Sequence, residues 1–466
     1  MSQGSAVTRR ELVFQAERGG TFAATWGQRH IRAEIQRFGP VDDWNLRFRC
    51  HIPAGANGSV TAQYALDCIR TLIERHVALR TRFRLDASGG VVEQIVDTGG
   101  RIGVDIVAED DPERCEQALS ARLDAAASRR FDLELDLPVR FILGVCGASA
   151  YVFGIVVSHV SLDGAGALAL VEDLRRIVSG CTPEPVAFDP IAAAAEESGA
   201  LARARSERAR ELMRPAILAA ADNPLRTPRH ARAVPMVRGA HLSTDSFQSA
   251  HDYLGRRLGL FTSGAITIVA AATAVHRVLD APRAVFKIEC GNRWTPATQA
   301  YVGHRSQPIY IAVAGDAADA VAEIRGVDRA IFAAARRSPY DPDVMQALIE
   351  QVGADSWISF NDVLSVVGKP SPRTVRPELA DAFLRHDADA PPTPLEHHDS
   401  RAVGAGPLRV QAMIHLLGRH LDRPSLSLEA DDEYLDTEEI SAVLREIERT
   451  VIDLALADHA KVEAFR

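Results

Sequence analysis

The sequence predicts a mixed α/β protein built from two lobes. Three observations support this prediction: the chain has 466 residues, some segments carry apolar residues at helical spacing, and others carry alternating or continuous apolar runs typical of strands. A chain of this length exceeds one average domain and suffices for two or three compact units. Hydrophobic residues make up 47% of the chain and charged residues 25%, which is typical of globular proteins.

A helix followed by strands is predicted early in the chain. From Val60 to Val77 apolar residues recur at three- and four-residue steps, which predicts a helix ending near Ala78. Its predicted buried face consists of Ala65, Leu66, Ile69, Leu72, Ile73 and Val77. From Leu79 to Leu85 the period changes to two, which predicts a half-buried strand with Arg80, Arg82 and Arg84 on the outer side. The turn DASGG then leads into a second strand, VVEQIV.

A strand-to-helix junction further along the chain carries a cluster of polar residues. The almost continuously apolar run AYVFGIVVSHV, from Ala150 to Val160, predicts a buried strand, and SLDGAG opens the helix that follows. The apolar face of that helix is predicted to contain Leu168, Val171, Leu174, Ile177 and Val178. Polar residues at such junctions are common sites of chemistry.

The boundary between the lobes is predicted at a proline-rich segment, CTPEPVAFDP, that breaks the helical pattern. The predicted lobes are residues 1–185 and 186–466. A charged helix is expected from about Ala192 to Met213, and a long loop from Lys369 to Pro394. Within the second lobe, ITIVAAATAVHRVL predicts a buried helix and AVFKIEC a strand, and Thr437 to Leu456 predicts a closing amphipathic helix.

Composition argues against several classes of partner. A net charge of -9 at pH 7 does not fit a surface that neutralises nucleic-acid phosphates or an anionic membrane leaflet. The N-terminal residues lack the apolar segment of a secretory signal, and no stretch approaches the ~18 apolar residues of a membrane span, so we expect a cytoplasmic protein without nucleic-acid or membrane partners. The six cysteines show no CxxC spacing and are predicted to be reduced and structural.

The sequence SHVSLDG carries the strongest chemical signal. His159, Asp163 and Gly164 form an HxxxDG pattern directly after an apolar strand. A neutral imidazole accepts a proton at physiological pH and releases it again, which suits acyl transfer. Gly164 lets a backbone amide approach a developing oxyanion. The pattern alone also fits a core histidine beside an aspartate that caps the next helix.

Further motifs resemble those of nonribosomal-peptide condensation domains. RHVALRTRF, from Arg75 to Phe83, resembles their RHExLRTxF motif, which precedes an HHxxxDG motif at about this distance. TWGQRHI resembles their opening SxAQxRLW segment, GNR and VGHRSQP stand where the family has its GR and VGxFVNT segments, and the C-terminal tail is similar to the family's last strand and helix. The resemblance covers nearly the whole chain, which looks like a free-standing condensation domain without adenylation or carrier segments.

The resemblance implies a fold, a reaction and roles for named residues. It implies two chloramphenicol-acetyltransferase-like lobes in a V-shaped pseudo-dimer, with His159 midway along a central tunnel. His159 is then the catalytic residue, which orients or deprotonates an amine or hydroxyl as it attacks a thioester. Asp163 is expected to turn away from the substrate and pair with Arg293, which would support the loop, although a helix-capping role for Asp163 stays open.

The implied reaction belongs to natural-product biosynthesis and requires no bound cofactor or metal. The acyl donor is expected as a thioester on the phosphopantetheine arm of an acyl or peptidyl carrier protein, or on coenzyme A, and a small molecule as the acceptor. The sequence leaves open whether an amide or an ester is formed.

Several positions depart from the family pattern. Ser158 stands where the family usually has a first histidine, and its hydroxyl is a possible hydrogen-bonding neighbour of His159. His304 and Arg305 replace the usual small and aromatic residues, and Gln307 replaces an asparagine. These departures predict an unusual donor or acceptor.

Two alternative functions stay open at this point. IECGNRW places Glu289 and Arg293 where peptide epimerisation domains have an EGHGRE motif, and a carboxylate opposite His159 would shuttle an α-proton. A non-catalytic module that recruits carrier proteins is the other alternative, although retention of the HxxxDG residues favours catalysis. The adjacent His397 and His398 are interpreted as part of a polar loop rather than as metal ligands.

Overall fold

The computed structural model describes residues 6–38, 44–52, 60–221, 236–243, 245–354, 357–362, 395–401, 412–417 and 425–464. Its contacts divide the chain into a first unit, Met1–Arg203 with Gly291–Ser306, and a second unit, Ala204–Cys290 with Gln307–Arg466. The predicted boundary after residue 185 lies earlier than this division. Residues 291–306 join the first unit because their side chains and backbone bond to Asp163.

Helices and strands are mixed along the described chain, as the sequence predicts. The helices are α1 (Trp26–Phe38), α2 (Ala62–Arg75), α3 (Pro112–Ala127), α4 (Gly164–Val178), α5 (Pro190–Glu197), α6 (Ala200–Ala220), α7 (Asp245–Leu258), α8 (Gly264–Leu279), α9 (Pro296–Gln299), α10 (Ala320–Ala335), α11 (Pro342–Val352) and α12 (Thr437–Ala464). The strands are β1 (Ala6–Gln15), β2 (Gly20–Ala23), β3 (Leu46–His51), β4 (Thr81–Leu85), β5 (Val91–Val96), β6 (Gly99–Glu109), β7 (Val139–Cys146), β8 (Ser149–Val157), β9 (Met236–Ser243), β10 (Arg283–Cys290), β11 (Gln307–Ala314), β12 (Ile358–Asp362), β13 (Glu396–Arg401), β14 (Ala412–Leu417) and β15 (Ser425–Asp431). No helix among the described residues is long and apolar enough to cross a membrane.

The first unit is built on a sheet with strand order β1-β6-β7-β8-β3, next to a smaller sheet of order β2-β5-β4. Strands β6 and β7 are parallel, whereas β7 pairs antiparallel with β8, and β8 with β3. Both faces of the larger sheet are covered. Phe153, Ile155 and Val157 pack into one core with α2 and α4, while Val152 and Val156 pack into a second core with α1 and α3. Burial on both faces explains why the sequence of β8 is apolar at almost every position.

Most sequence predictions for the first unit agree with the structure. Helix α2 buries the predicted apolar face, and Thr61 caps it by accepting a hydrogen bond from the Tyr64 amide. Two predictions were wrong. Leu79 and Arg80 belong to a short 3-10 helix, and Arg80 is buried because its guanidinium donates to the carbonyl oxygens of Arg18 and Asp97. Leu168 on α4 is exposed instead of joining the apolar face.

The charged helix predicted from about Ala192 to Met213 is two helices, α5 and α6. The break falls at Ser198 and Gly199, residue types that compete with or weaken a continuous helix. Helix α5 starts at Pro190, and the Asp189 side chain caps it by accepting from the Ala192 amide at 2.9 Å.

The second unit contains a sheet with strand order β11-β10-β12-β14-β15-β9-β13 among the described residues. The predicted buried helix is α8, the predicted strand AVFKIEC is β10, and the closing helix is α12. The polar loop predicted at His397 and His398 is instead strand β13, which pairs antiparallel with β9, because a neighbouring strand overrides weak local preference. The long loop predicted from Lys369 to Pro394 lies outside the described residues.

Candidate active site

His159 lies in a tight loop between β8 and α4. The Ser158 carbonyl accepts hydrogen bonds from the amides of Ser161 at 2.9 Å and Leu162 at 3.3 Å, which turns the chain sharply after the strand. The His159 Nδ1 atom is 2.8 Å from the Leu162 carbonyl oxygen. A carbonyl only accepts, so Nδ1 carries the proton, and Nε2 of the neutral ring has a free lone pair.

The surroundings of His159 keep its imidazole neutral. Burial lowers the pKa of His159 below its ordinary value, and this effect outweighs the Leu162 hydrogen bond and the Asp163 charge, which act in the opposite direction. The residue is partly exposed to solvent. A neutral, partly exposed imidazole with one fixed nitrogen and one unprotonated nitrogen is suited to accept a proton from a bound nucleophile.

Two other rings lie beside the His159 ring. The Trp44 ring centroid is 6.2 Å away, with an angle of 35° between the ring planes. The His304 ring centroid is 5.1 Å away at 53°, and the His304 Nδ1 atom donates to the His159 carbonyl oxygen at 2.8 Å. His304 is thus a neighbour of the candidate catalytic residue, a contact that the sequence analysis did not predict.

Asp163 connects this loop to residues 291–306. Its Oδ1 atom accepts from the Gly166 amide at 2.7 Å and from Arg293 Nη2 at 2.6 Å. Its Oδ2 atom accepts from Arg293 Nη1 at 2.9 Å, the Arg305 amide at 2.8 Å, and both the amide and the hydroxyl of Ser306 at 2.9 Å. Burial by itself would raise the pKa of the Asp163 carboxyl, but Arg293 and these hydrogen bonds hold it well below its usual range. Asp163 is therefore a charged structural anchor.

The structure brings Asp163 and Arg293 together, and Asp163 also caps α4. The bond to the Gly166 amide is a normal helix cap, while the Arg293 guanidinium donates to both carboxylate oxygens. Arg293 also donates to the carbonyl oxygens of Gly291 at 2.7 Å and Gly303 at 3.1 Å. The two roles that the sequence left as alternatives thus occur together.

The absence of a side chain at Gly166 allows α4 and residues 291–306 to approach closely. A Cβ atom at Gly166 would lie 2.6 Å from the Gly303 carbonyl oxygen, which is closer than real contacts allow. Gly164 is the first residue of α4 and is exposed. The second glycine of SLDGAG was a signal that the sequence analysis missed.

Two further residues were predicted as candidates from the sequence, Ser158 beside His159 and Glu289 as a possible epimerase carboxylate. Ser158 is buried, and its described hydrogen bonds are made by its backbone, so the structure places no hydrogen bond between its hydroxyl and His159. Glu289 belongs to the second unit, where it lies on β10 opposite Pro308.

The RHVALRTRF motif forms a structural scaffold in the first unit. Arg75 Nε and His76 Nε2 both contact the same Asp173 oxygen, at 2.6 Å and 2.7 Å. Arg82 forms a two-fold contact with Asp97 at 2.8 Å and 2.7 Å. These pairs tie α2 to α4 and β4 to the end of β5 rather than presenting groups for chemistry. Among the described residues, no cluster of three or more histidine, cysteine, aspartate or glutamate side chains is arranged to hold a metal ion.

Comparison with known sequences finds similarity to parts of a synthase and a synthetase. No family model matches the chain. Chondramide synthase cmdD of Chondromyces crocatus is 25% identical over 157 residues, which is 32% of this chain and 4% of that protein. AMB antimetabolite synthetase AmbB of Pseudomonas aeruginosa is 28% identical over 178 residues, which is 38% of this chain and 14% of that protein. The chain therefore matches only a small part of the length of these relatives.

Comparison with solved structures finds the same fold over nearly the whole chain. The structure reported for condensation domain-mediated chain release from the enacyloxin polyketide synthase has a TM-score of 0.67 at 18% identity and covers 93% of this chain and 82% of that chain. The starter condensation domain of rhizomide synthetase, a mutant in complex with C8-CoA and Leu-SNAC, has a TM-score of 0.62 at 14% identity, with 94% of each chain covered. The epimerization domain of tyrocidine synthetase B has a TM-score of 0.59 at 14% identity, with 95% and 99% covered. The resemblance read from the sequence is confirmed, and the chain has the fold of the condensation domains of nonribosomal peptide and polyketide synthases.

Proposed function

We propose that this chain is a condensation-type acyltransferase in natural-product biosynthesis, with His159 as its catalytic residue. The observation that carries this proposal is the state of His159. Its Nδ1 atom is fixed on the Leu162 carbonyl, so the unprotonated Nε2 atom of a neutral ring is left for a substrate. The condensation-domain fold supports the same reaction class.

In the proposed reaction an amine or hydroxyl attacks the carbonyl carbon of an acyl thioester. His159 Nε2 orients the nucleophile and accepts its proton as the new carbon–nitrogen or carbon–oxygen bond forms. The carbon–sulfur bond then breaks, and the thiolate leaves and takes up a proton. The thioester supplies the activation, so the chemistry assigned to this chain is positioning and proton transfer by its own residues.

The proposed donor is an acyl group on the phosphopantetheine of an acyl or peptidyl carrier protein, or on coenzyme A, and the proposed acceptor is a small molecule. A relative with this fold, the rhizomide synthetase starter domain, was crystallised with C8-CoA, which supports a thioester donor. The synthetase relatives support a carrier-protein partner.

The proposed supporting residues hold His159 rather than react. Asp163 and Arg293 fix the loop through their buried ion pair, and Gly164 begins the helix that Asp163 caps. Ser158 contributes its backbone to the turn before His159. Substitution of Asp163 or Arg293 should lower the rate through the geometry of His159, because their side chains hold the loop.

The test compares wild type, His159→Ala and His51→Ala by mass spectrometry. His51 is an exposed histidine of the same unit and serves as the matched control. Each protein is incubated with carrier-bound and coenzyme A thioesters and a panel of amines and alcohols. We expect wild type and His51→Ala to form product, and His159→Ala to lose at least ~100-fold in rate, the usual scale for general acid–base catalysis. Full activity in His159→Ala would refute the assignment.

The same experiment separates the two other functions. Exchange of the donor α-proton for deuterium, lost in Glu289→Gln and without a condensation product, would identify an epimerase. Carrier-protein binding without either reaction would identify a recruitment module.

A further inference from the structure

His304 contacts the proposed catalytic histidine in two ways, although 145 residues separate them in the chain. Its Nδ1 atom donates to the His159 backbone carbonyl at 2.8 Å, and its ring lies 5.1 Å from the His159 ring. The residue is only 2% exposed. A change at this position should therefore be transmitted to both the backbone and the ring of His159.

The backbone around His304 is itself fixed. The Gly303 carbonyl accepts a hydrogen bond from Arg293 Nη2 at 3.1 Å, and the Arg305 amide donates to Asp163 Oδ2 at 2.8 Å. A Cβ atom at Gly27 would lie 2.4 Å from the His304 carbonyl oxygen, so α1 packs directly against this segment. The backbone of His304 is thus fixed by the hydrogen bonds of Gly303 and Arg305 and by the packing of α1. A residue fixed in this way can hold the position of another residue.

The charge of His304 matters because its ring lies so close to that of His159. Burial lowers the pKa of His304 to about 3, even though the Asp163 carboxylate acts in the opposite direction. At neutral pH the ring is uncharged, and the carbonyl acceptor requires its proton on Nδ1. A neutral donor supports His159 without placing a positive charge beside a group that must accept a proton.

We propose that His304 is a positioning residue for His159, a neutral hydrogen-bond donor that fixes the backbone of the catalytic histidine and packs beside its ring. This inference deepens the proposed function and rests on it. Ser158, directly before His159, contributes backbone hydrogen bonds in its described contacts, so the side chain that supports His159 comes from the segment 291–306 instead.

Three substitutions separate the hydrogen bond from the ring. His304→Asn keeps a donor attached at Cγ, His304→Phe keeps a ring without the donor, and His304→Ala has neither. We expect kcat of the Phe and Ala variants to fall ~10- to 100-fold while KM stays within about two-fold, because misplacement of a catalytic group costs on this scale. His304→Asn should recover activity to within about five-fold of wild type. His51→Phe, at an exposed position, is the control and should match wild type.

A readout that does not depend on turnover is the His159 imidazole itself. With ¹⁵N-labelled histidine, NMR reports the tautomer and the titration of His159 in each folded variant. We expect the Nδ1-protonated form in wild type and His304→Asn, and a mixture of tautomers in His304→Phe. Thermal unfolding midpoints identify any variant that has simply lost its fold.

The outcomes distinguish the two proposals. Wild-type kcat in a folded His304→Phe variant, with the His159 tautomer unchanged, would overturn the positioning role. Activity of His304→Asn as low as that of His159→Ala would also overturn it, because His304 would then react itself. If wild type makes no product, the proposed function fails, while the NMR comparison still decides whether His304 positions His159.

Discussion

Replacement of Asp163 by asparagine changes one group of a buried side chain that accepts six hydrogen bonds. An amide presents one oxygen and one NH₂ group, whereas every partner of Asp163 is a donor. Whichever way the amide turns, its NH₂ group faces either Gly166 and one nitrogen of Arg293, or the other Arg293 nitrogen with Arg305 and Ser306. The substitution also leaves the buried Arg293 guanidinium without its counter-charge.

The expected cost follows from the burial of this ion pair. The side chains of Arg293 and Asp163 are 8% and 3% exposed, so solvent screens their interaction little. Removal of one partner of such a pair costs about 3–5 kcal/mol. We therefore expect Asp163→Asn to lower the free energy of opening of residues 291–306 by about this amount. Asp67→Asn, at an exposed pair with Arg70, should cost about 0–1 kcal/mol and is the matched control.

Hydrogen exchange read by mass spectrometry measures this opening directly, because two units need not unfold together. The pH dependence tests the electrostatic origin. The folded pKa of Asp163 is lowered, so its contribution is present above the unfolded pKa of about 3.9 and is lost as pH falls below it. The difference between wild type and Asp163→Asn should shrink by about 1–2 kcal/mol from pH 6 to pH 2.5. Equal protection in both proteins, or a difference independent of pH, would refute the reasoning.

Two further predictions concern stability of the same unit and are measured by thermal unfolding. Gly166→Ala places a Cβ atom 2.6 Å from the Gly303 carbonyl oxygen and should lower the free energy of unfolding by about 1–3 kcal/mol. Gly164→Ala, at the exposed start of α4, should change it by no more than about 0.5 kcal/mol. Equal unfolding midpoints for the two variants would contradict the close approach at Gly166. The Tyr301 hydroxyl is buried without a hydrogen-bond partner among the described residues. Tyr301→Phe should therefore leave the free energy of unfolding unchanged or raise it by up to about 1 kcal/mol. A decrease of more than about 1 kcal/mol would show that the hydroxyl has a partner.

The sequence determined the elements whose residues carry a strong local or periodic signal. The apolar face of α2 and the continuous apolar run of β8 are visible because burial on one face or on two faces leaves different spacings. His159 and Asp163 stand out for a related reason, since a polar cluster directly after a buried strand interrupts an otherwise apolar pattern. The position of the candidate site, between β8 and α4, was therefore predictable from a few adjacent residues.

Tertiary structure decided what depends on partners far along the chain. Arg80 lies in an alternating pattern that predicts exposure. It is buried instead, because its guanidinium donates to the carbonyl oxygens of Arg18 and Asp97. His397 and His398 have a polar sequence that predicts a loop, but pairing with β9 makes it a strand. His304 appeared only as a departure from a motif, because a hydrogen bond to the His159 carbonyl leaves no periodic trace in the sequence. Contacts of this kind are set by the packing of residues 291–306 against the rest of the first unit, which no local pattern encodes.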